Sequence, residues 1–174
     1  GFKDLPIEVF ESKYPVSIFN YGFRENSGGL GKSRGGLGLY REYTINTDGF
    51  VSLWFERSVT PAWGLFGGRD GLPPNVNIKI PNEDEKNLLK ANGLQIKKGT
   101  VLTTYTGGGG GFEEPLDRDP KKVLNDVKNR YVSIEKAKED YKVSITANLE
   151  IDQSATQKLR NNWSFGVKNK PQII

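Results

Sequence analysis

Five consecutive glycines, Gly107 to Gly111, stand between an apolar run (Val101, Leu102, Tyr105) and the breaker-rich Glu113-Glu114-Pro115. Two further glycine clusters precede them, at Gly28 to Gly38 and Gly64 to Gly71. An ordered glycine forgoes roughly 0.5 to 1 kcal/mol relative to alanine, so five in a row cost on the order of 2 to 5 kcal/mol. Flexible linkers tolerate that cost, but they are rich in serine and other polar residues. Here the aromatic residues Tyr105 and Phe112 bracket the run instead. The pattern predicts ordered loops in which backbones come very close together.

A chain of 174 residues with 35% hydrophobic content can bury one core, with at most a small appendage. No stretch approaches the roughly 18 apolar residues needed to cross a bilayer, and Gly1-Phe2-Lys3-Asp4 lacks the layout of a secretory signal. A soluble, cytoplasmic protein with no membrane partner is the expectation. Cysteine and histidine are both absent, which removes disulfides, thiolate metal sites, cysteine nucleophiles and imidazole bases or ligands. Methionine is absent too, so a chain opening on Gly1 reads as a piece of something longer. The net charge of +4 comes from 25 basic and 21 acidic residues mixed along the chain, which reads as surface solvation well ahead of nucleic-acid binding.

The periodicities predict an α+β chain, mainly β, with a β-rich layer or sandwich, glycine-rich loops and a small C-terminal helical annex. Residues 1–115 read as the β-rich glycine-loop domain and 116–174 as the annex and tail, packed on the same core. A short helix or turn is expected over 4–13, stopped by Pro15, followed by a strand through Val16, Ile18, Phe19 and Tyr21. Leu37 to Ile45 and Phe50 to Arg57 alternate as strands around Asn46-Thr47-Asp48-Gly49, which predicts a β-hairpin over 37–57 with positive φ at its aspartate-glycine turn. Val76 to Ile80 is a further strand. Residues 81–92 are a polar excursion, and Gln95 to Thr106 forms two strands broken at Lys98-Gly99. Asp119-Pro120 and Ser133 start two helices, with Val123, Leu124 and Val127 and then Ile134, Ala137 and Tyr141 at helical spacing. One more turn is expected around Ala155 to Arg160, and Lys168 to Ile174 should fray.

Few motifs carry chemistry. Gly31-Lys32-Ser33 resembles the end of a phosphate-binding P-loop, but position 26 is asparagine where that loop needs glycine. No cluster contains the G-x-G-x-x-G of a dinucleotide turn. Glu113, Glu114, Asp117 and Asp119 are either oxygen ligands for a divalent cation or helix-entry charges, the second being the simpler reading. Arg34, Arg41 and Arg69 lie in or beside the glycine clusters. They are candidates to hold an anion bidentately over Gly108 and Gly109, or equally to tie loop carbonyls and carboxylates together. Trp54, Phe55, Trp63 and Phe66 are candidate interface anchors or core residues.

Read in order, Ser27 through Tyr43, Pro61-Ala62-Trp63-Gly64-Leu65-Phe66-Gly67-Gly68-Arg69-Asp70-Gly71, and Gly107 to Gly111 with Pro115, Arg118, Asp119 and Pro120 form three glycine-patterned blocks in register. Together with Leu5 to Pro15 and the stretch from Asp126-Val127 through Ser133, Ala137 and Tyr141, they resemble the C-terminal part of the hydantoinase B/oxoprolinase family, which includes acetone-type carboxylase alpha subunits. The resemblance implies a subunit of an ATP-dependent amidohydrolase or carboxylase assembly. Its partners would be the remainder of the B-type subunit and a hydantoinase A-like subunit. It implies ATP handled by the A-like subunit and a divalent metal in the part of the B-type subunit that precedes this segment. Without histidine, this chain departs from the family's metal region. The expectation is a chain that is inactive alone, has no catalytic residue, no metal site and no cofactor of its own, and serves packing or assembly. The alternative is a free-standing anion- or ligand-binding β domain.

Overall fold

The computed structural model describes residues 5–167, with side-chain surroundings to residue 162. Helix α1 (Ile7–Lys13) follows Pro6, whose fixed φ suits a helix entry, and ends at the extended Tyr14 before Pro15. Strand β1 (Val16–Phe23) comes next, then β2 (Leu39–Ile45), β3 (Gly49–Trp54), β4 (Asn75–Lys79), the two-residue β5 (Lys86–Asn87), β6 (Lys90–Ile96) and β7 (Val101–Tyr105). A 3₁₀ turn at Pro115–Asp117 leads to α2 (Pro120–Lys128), α3 (Ile134–Asp140) and α4 (Gln153–Val167). Among the described residues no helix is long and apolar enough to cross a membrane. The strands pair antiparallel throughout, and the class is α+β.

The strands form two layers. A five-stranded sheet has the order β1-β2-β7-β4-β5, and β3 pairs with β6 in a separate ribbon. Alternation along β2 explains their contact. Tyr43 and Ile45 share one face, Tyr43 stands opposite Leu102 and Leu102 opposite Ile78, so that face is apolar. It buries Val76, Ile78 and Leu102 against Leu53 and Ile96 of the ribbon.

The predicted hairpin over 37–57 does not form, although both of its strands do. Both edges of β2 are taken, Tyr43 pairing with Ile18 on one side and with Leu102 on the other. The chain therefore crosses from the sheet to the ribbon at residues 46–48. Asp48 does not make a tight turn; its carboxylate accepts from the Lys98 amide at 2.8 Å and pairs with the Lys97 ammonium at 3.0 Å. Gly49 does not adopt a positive φ. The break between β6 and β7 does use one, at Gly99 with φ 86°.

The helical part has its own apolar cluster, in which Val123 and Val127 of α2 meet Ala137 of α3 and Tyr141, Val143 and Ile145 beyond it. Asp119 caps α2 by accepting from the Lys121 amide, and Ser133 caps α3 by accepting from Lys136. In place of the single turn expected around 155–160, α4 runs fifteen residues. The expected fraying of 168–174 lies outside the described residues. Leu30 of the first glycine cluster packs against the helical core, and the Asn26 side chain accepts from the Ser133 amide at 2.9 Å. The glycine segments therefore sit between the strand layers and the helices.

Candidate functional site

The three glycine clusters pack on each other, backbone against backbone. Hydrogen bonds between them recur every third residue. Gly108 N–H donates to Leu72 C=O and Gly111 N–H to Arg69 C=O, at 3.0 and 2.9 Å. Gly109 donates to Gly36 and Phe112 to Ser33, both at 2.9 Å, while Arg69 donates to Leu30 and Leu72 to Ser27, at 2.7 and 2.9 Å. In each pair an advance of three residues on one segment matches a retreat of three on its partner. A period of three matches an extended helix without internal hydrogen bonds, whose N–H groups turn to neighbouring segments.

Close approach is what requires glycine here. A β-carbon on Gly108 would lie 1.8 Å from Ser27 O, one on Gly110 1.9 Å from Trp63 O, and one on Gly111 1.9 Å from Leu30 O. The partner segments are equally restricted: Gly29 and Gly35 would place a β-carbon within 2.2 Å of Arg69 O and 2.1 Å of Gly109 O. Among the glycines of the three clusters only Gly67 has a left-handed φ, so at Gly28, Gly29, Gly31, Gly35, Gly38, Gly64, Gly68, Gly71, Gly108, Gly110 and Gly111 it is space and not φ that selects glycine, while Gly36 has open space around it.

This packing decides what the glycine backbone can bind. The amides of Gly29, Lys32, Ser33, Gly35, Gly108, Gly109 and Gly111 all donate to carbonyls of the chain itself. A phosphate cradle needs amides converging on a ligand. Lys32, Ser33 and the candidates Gly108 and Gly109 thus offer a nucleotide or anion no free backbone donor, so these amides do not fit ATP. The acidic residues do not fit a divalent metal either. Glu113 pairs with Lys32 at 2.7 Å, Asp119 caps α2 and Glu114 lies beneath Gly67. Among the described residues no group of three or more acidic side chains is placed to hold a metal ion.

The candidate arginines occupy three settings. Arg34 Nη1 donates to Gly35 C=O at 2.6 Å, Nε lies 3.4 Å from Asp126 Oδ2, and the guanidinium sits over the Tyr131 ring. Arg41 lies 4.3 Å from the Tyr21 ring centroid on the sheet and lines a groove of about 410 Å³ with Tyr43 and Phe55. Arg69 lines a cleft of about 220 Å³ between the glycine core and α3, together with Asp70, Lys136 and Asp140. Of the candidate aromatics, Trp54, Trp63 and Phe66 are exposed, whereas Phe55 packs against the strand core.

The most tightly built polar feature centres on Asp126, which carries no expected role in the sequence, and includes Arg34 in the carbonyl- and carboxylate-tying role that is one of its two expected ones. Asp126 of α2 is buried and its Oδ2 receives Arg118 Nη2 at 2.7 Å in addition to Arg34. Arg118 also donates to Lys32 C=O, and Arg160 Nη2 donates to the Arg118 and Tyr141 carbonyls. This cluster clamps the first glycine segment, the turn after the five glycines, and helices α2 and α4. A signal for it existed: Asp126 sits three residues after Val123 and directly before Val127, inside an apolar stripe where a carboxylate needs a cationic partner.

Tyr141 is wholly inaccessible to solvent, and burial pushes its hydroxyl up to about 12, against weaker opposing effects from Arg118 and Arg34. The neutral phenol is the form the fold accepts. Its contribution is present below the unfolded tyrosine value near 10 and is lost as pH rises through about 12. Urea unfolding of wild type should therefore lose about 2 to 3 kcal/mol between pH 9 and 12 that a Tyr141→Phe variant retains. Equal alkaline losses in the two proteins would contradict this.

The hydantoinase B/oxoprolinase family model matches residues 1–115, which include all three glycine clusters. The chain is 35% identical over 160 residues to the B subunit of a putative D-/L-hydantoinase from Pseudomonas sp. (strain NS671), covering 91% of this chain and 27% of that protein. Its fold is similar to the nucleotide-free structure of acetone carboxylase, with a TM-score of 0.77 and 22% identity over 97% of this chain and 27% of that one. It is also similar to the ATP-dependent caprolactamase from Pseudomonas jessenii, with a TM-score of 0.65 and 28% identity over 90% of this chain and 28% of that one. The chain thus spans little more than a quarter of each of these proteins. On the glycine blocks and on these matches, the chain belongs to the hydantoinase B/oxoprolinase family.

Proposed function

We propose that this chain is the C-terminal module of a hydantoinase B-like subunit of an ATP-dependent amidohydrolase or acetone-type carboxylase, and that it serves packing and assembly without catalysing. It works in the cytoplasm beside the rest of the B-type subunit and a hydantoinase A-like subunit, which supply the nucleotide and metal sites. One observation carries the reading: in the glycine core, the chain's most distinctive feature, the amides of Gly29, Lys32, Ser33, Gly35, Gly108, Gly109 and Gly111 are taken by the chain's own carbonyls, which suits a packed core more than a ligand cradle. The absence of histidine and cysteine from the sequence agrees, since imidazole and thiolate are common general bases, nucleophiles and metal ligands. Incubating the isolated chain with ATP and a hydantoin, 5-oxoproline or caprolactam should give ring opening no faster than buffer. Turnover above that background would overturn the reading.

The alternative of an anion-binding domain draws support from Arg69 and Lys136 lining one cleft. Asp70 and Asp140 line it too and offset both cations, which favours the first reading. Millimolar phosphate or a dicarboxylate raising the melting temperature at constant ionic strength would favour the alternative.

A further inference from the structure

One patch of the glycine core leaves three large apolar side chains exposed. Phe66 is 77% exposed, and Leu65 and Phe112 are 50% and 41% exposed. The Phe66 and Phe112 rings meet edge to face with centroids 5.3 Å apart. Their backbones are firmly held: Leu65 N–H donates to Gly111 C=O, Glu113 N–H donates to Leu65 C=O, and Phe112 exchanges both bonds with Ser33. Phe66 itself has φ 52°, a left-handed conformation costly for a bulky side chain and ordinary for glycine or asparagine. A large aromatic kept in strained backbone and turned toward solvent does little for the chain's own fold. Strain of this kind persists only where the surrounding structure holds it and tends to cluster at functional contacts.

We infer that Leu65, Phe66 and Phe112 form the seat against which the remaining polypeptide of the B-type subunit docks. The inference rests on the assembly reading above. Three observations select this occupant. In similar proteins the matched region is little more than a quarter of a longer chain, and the rest of such a chain is the occupant this inference names. The patch falls within residues 1–115, the part that the family shares. It is apolar at its centre, and the nearby Lys32–Glu113 pair neutralises itself, a composition suited to a permanent neighbour more than to a transient charged one. Because the rings ride on a rigid backbone core, docking on them immobilises little that was free.

The test is hydroxyl-radical labelling, read by mass spectrometry, on the isolated 174-residue chain and on the native B-type subunit that carries this sequence. Leu65, Phe66 and Phe112 should label at least fivefold less in the native subunit. Equal labelling in a subunit that does contain the module would overturn the patch assignment and leave the assembly reading standing. A native protein that consists of this chain alone, with the patch labelled, would overturn both. Masking that tracks self-association of the isolated chain in sedimentation would assign the patch to a second copy and overturn the inference. A Phe66→Asn variant adds a readout of opposite sign: the isolated chain should keep its melting temperature or gain up to a few degrees, while the native subunit loses the fivefold protection at Leu65 and Phe112. A fall of several degrees in the isolated chain would show that the ring serves this chain's own fold, against the inference.

Discussion

Gly108→Ala and Gly110→Ala are each expected to destabilise the chain by about 3 kcal/mol or more, a large share of the roughly 5 to 15 kcal/mol by which folded domains are ordinarily stable. The new β-carbon would stand 1.8 Å from Ser27 O in the first variant and 1.9 Å from Trp63 O in the second. Neither obstacle is a side chain that can rotate away. Relief requires whole segments to separate, and the hydrogen bonds from Gly109 to Gly36 and from Gly111 to Arg69 are lost with the contact, each worth about 0.5 to 1.5 kcal/mol. Gly36→Ala and Gly49→Ala supply the contrast. A β-carbon at either position meets nothing within 4 Å and neither φ is left-handed, so both should be neutral or stabilising by about 0.4 to 1 kcal/mol. Urea unfolding of the four variants decides the matter. Comparable small effects at all four positions would mean that the segments do not touch.

Asp126→Asn is expected to cost about 3 to 5 kcal/mol, because it leaves two buried guanidiniums, those of Arg34 and Arg118, without their shared carboxylate. The loss should exceed that of removing a surface pair such as Lys136 with Glu139, which is expected to change stability by under about 1 kcal/mol. The variant should also loosen the join between glycine core and helices, since Arg118 binds Lys32 C=O and Arg34 binds Gly35 C=O from the same cluster. A thermal scan showing an Asp126→Asn midpoint within a degree or two of wild type would contradict this assignment.

Local chemistry made much of the fold legible. Pro6 and Pro15 bracket α1, Asp119-Pro120 and Ser133 open α2 and α3, and Gly99 separates β6 from β7 as the residue types require. The pairing of β2 with β3 was misread because Asn46-Thr47-Asp48-Gly49 carries hairpin chemistry, while the partners of β2 come from β1 and from β7, more than fifty residues farther on. No local signal encodes that distant competitor. The site divides in the same way. Five consecutive glycines announced close approach, but only the register of Gly108 with Leu72 and Gly109 with Gly36 shows that the donors are used up. Arg34 stood out for its place beside glycines, yet its partner Asp126 lies ninety-two positions along, on a helix read for its apolar stripe.

The three glycine segments are held together by amides that donate to carbonyls of neighbouring segments, among them those of Gly108, Gly109 and Gly111. Amide hydrogen exchange of the isolated chain by NMR tests this most directly. Gly108, Gly109 and Gly111 should exchange as slowly as Val76 and Ile78 in the strand core, with opening free energies near that of global unfolding. Exchange of these three amides at the rate of an unstructured loop, while the strand core stays protected, would contradict it.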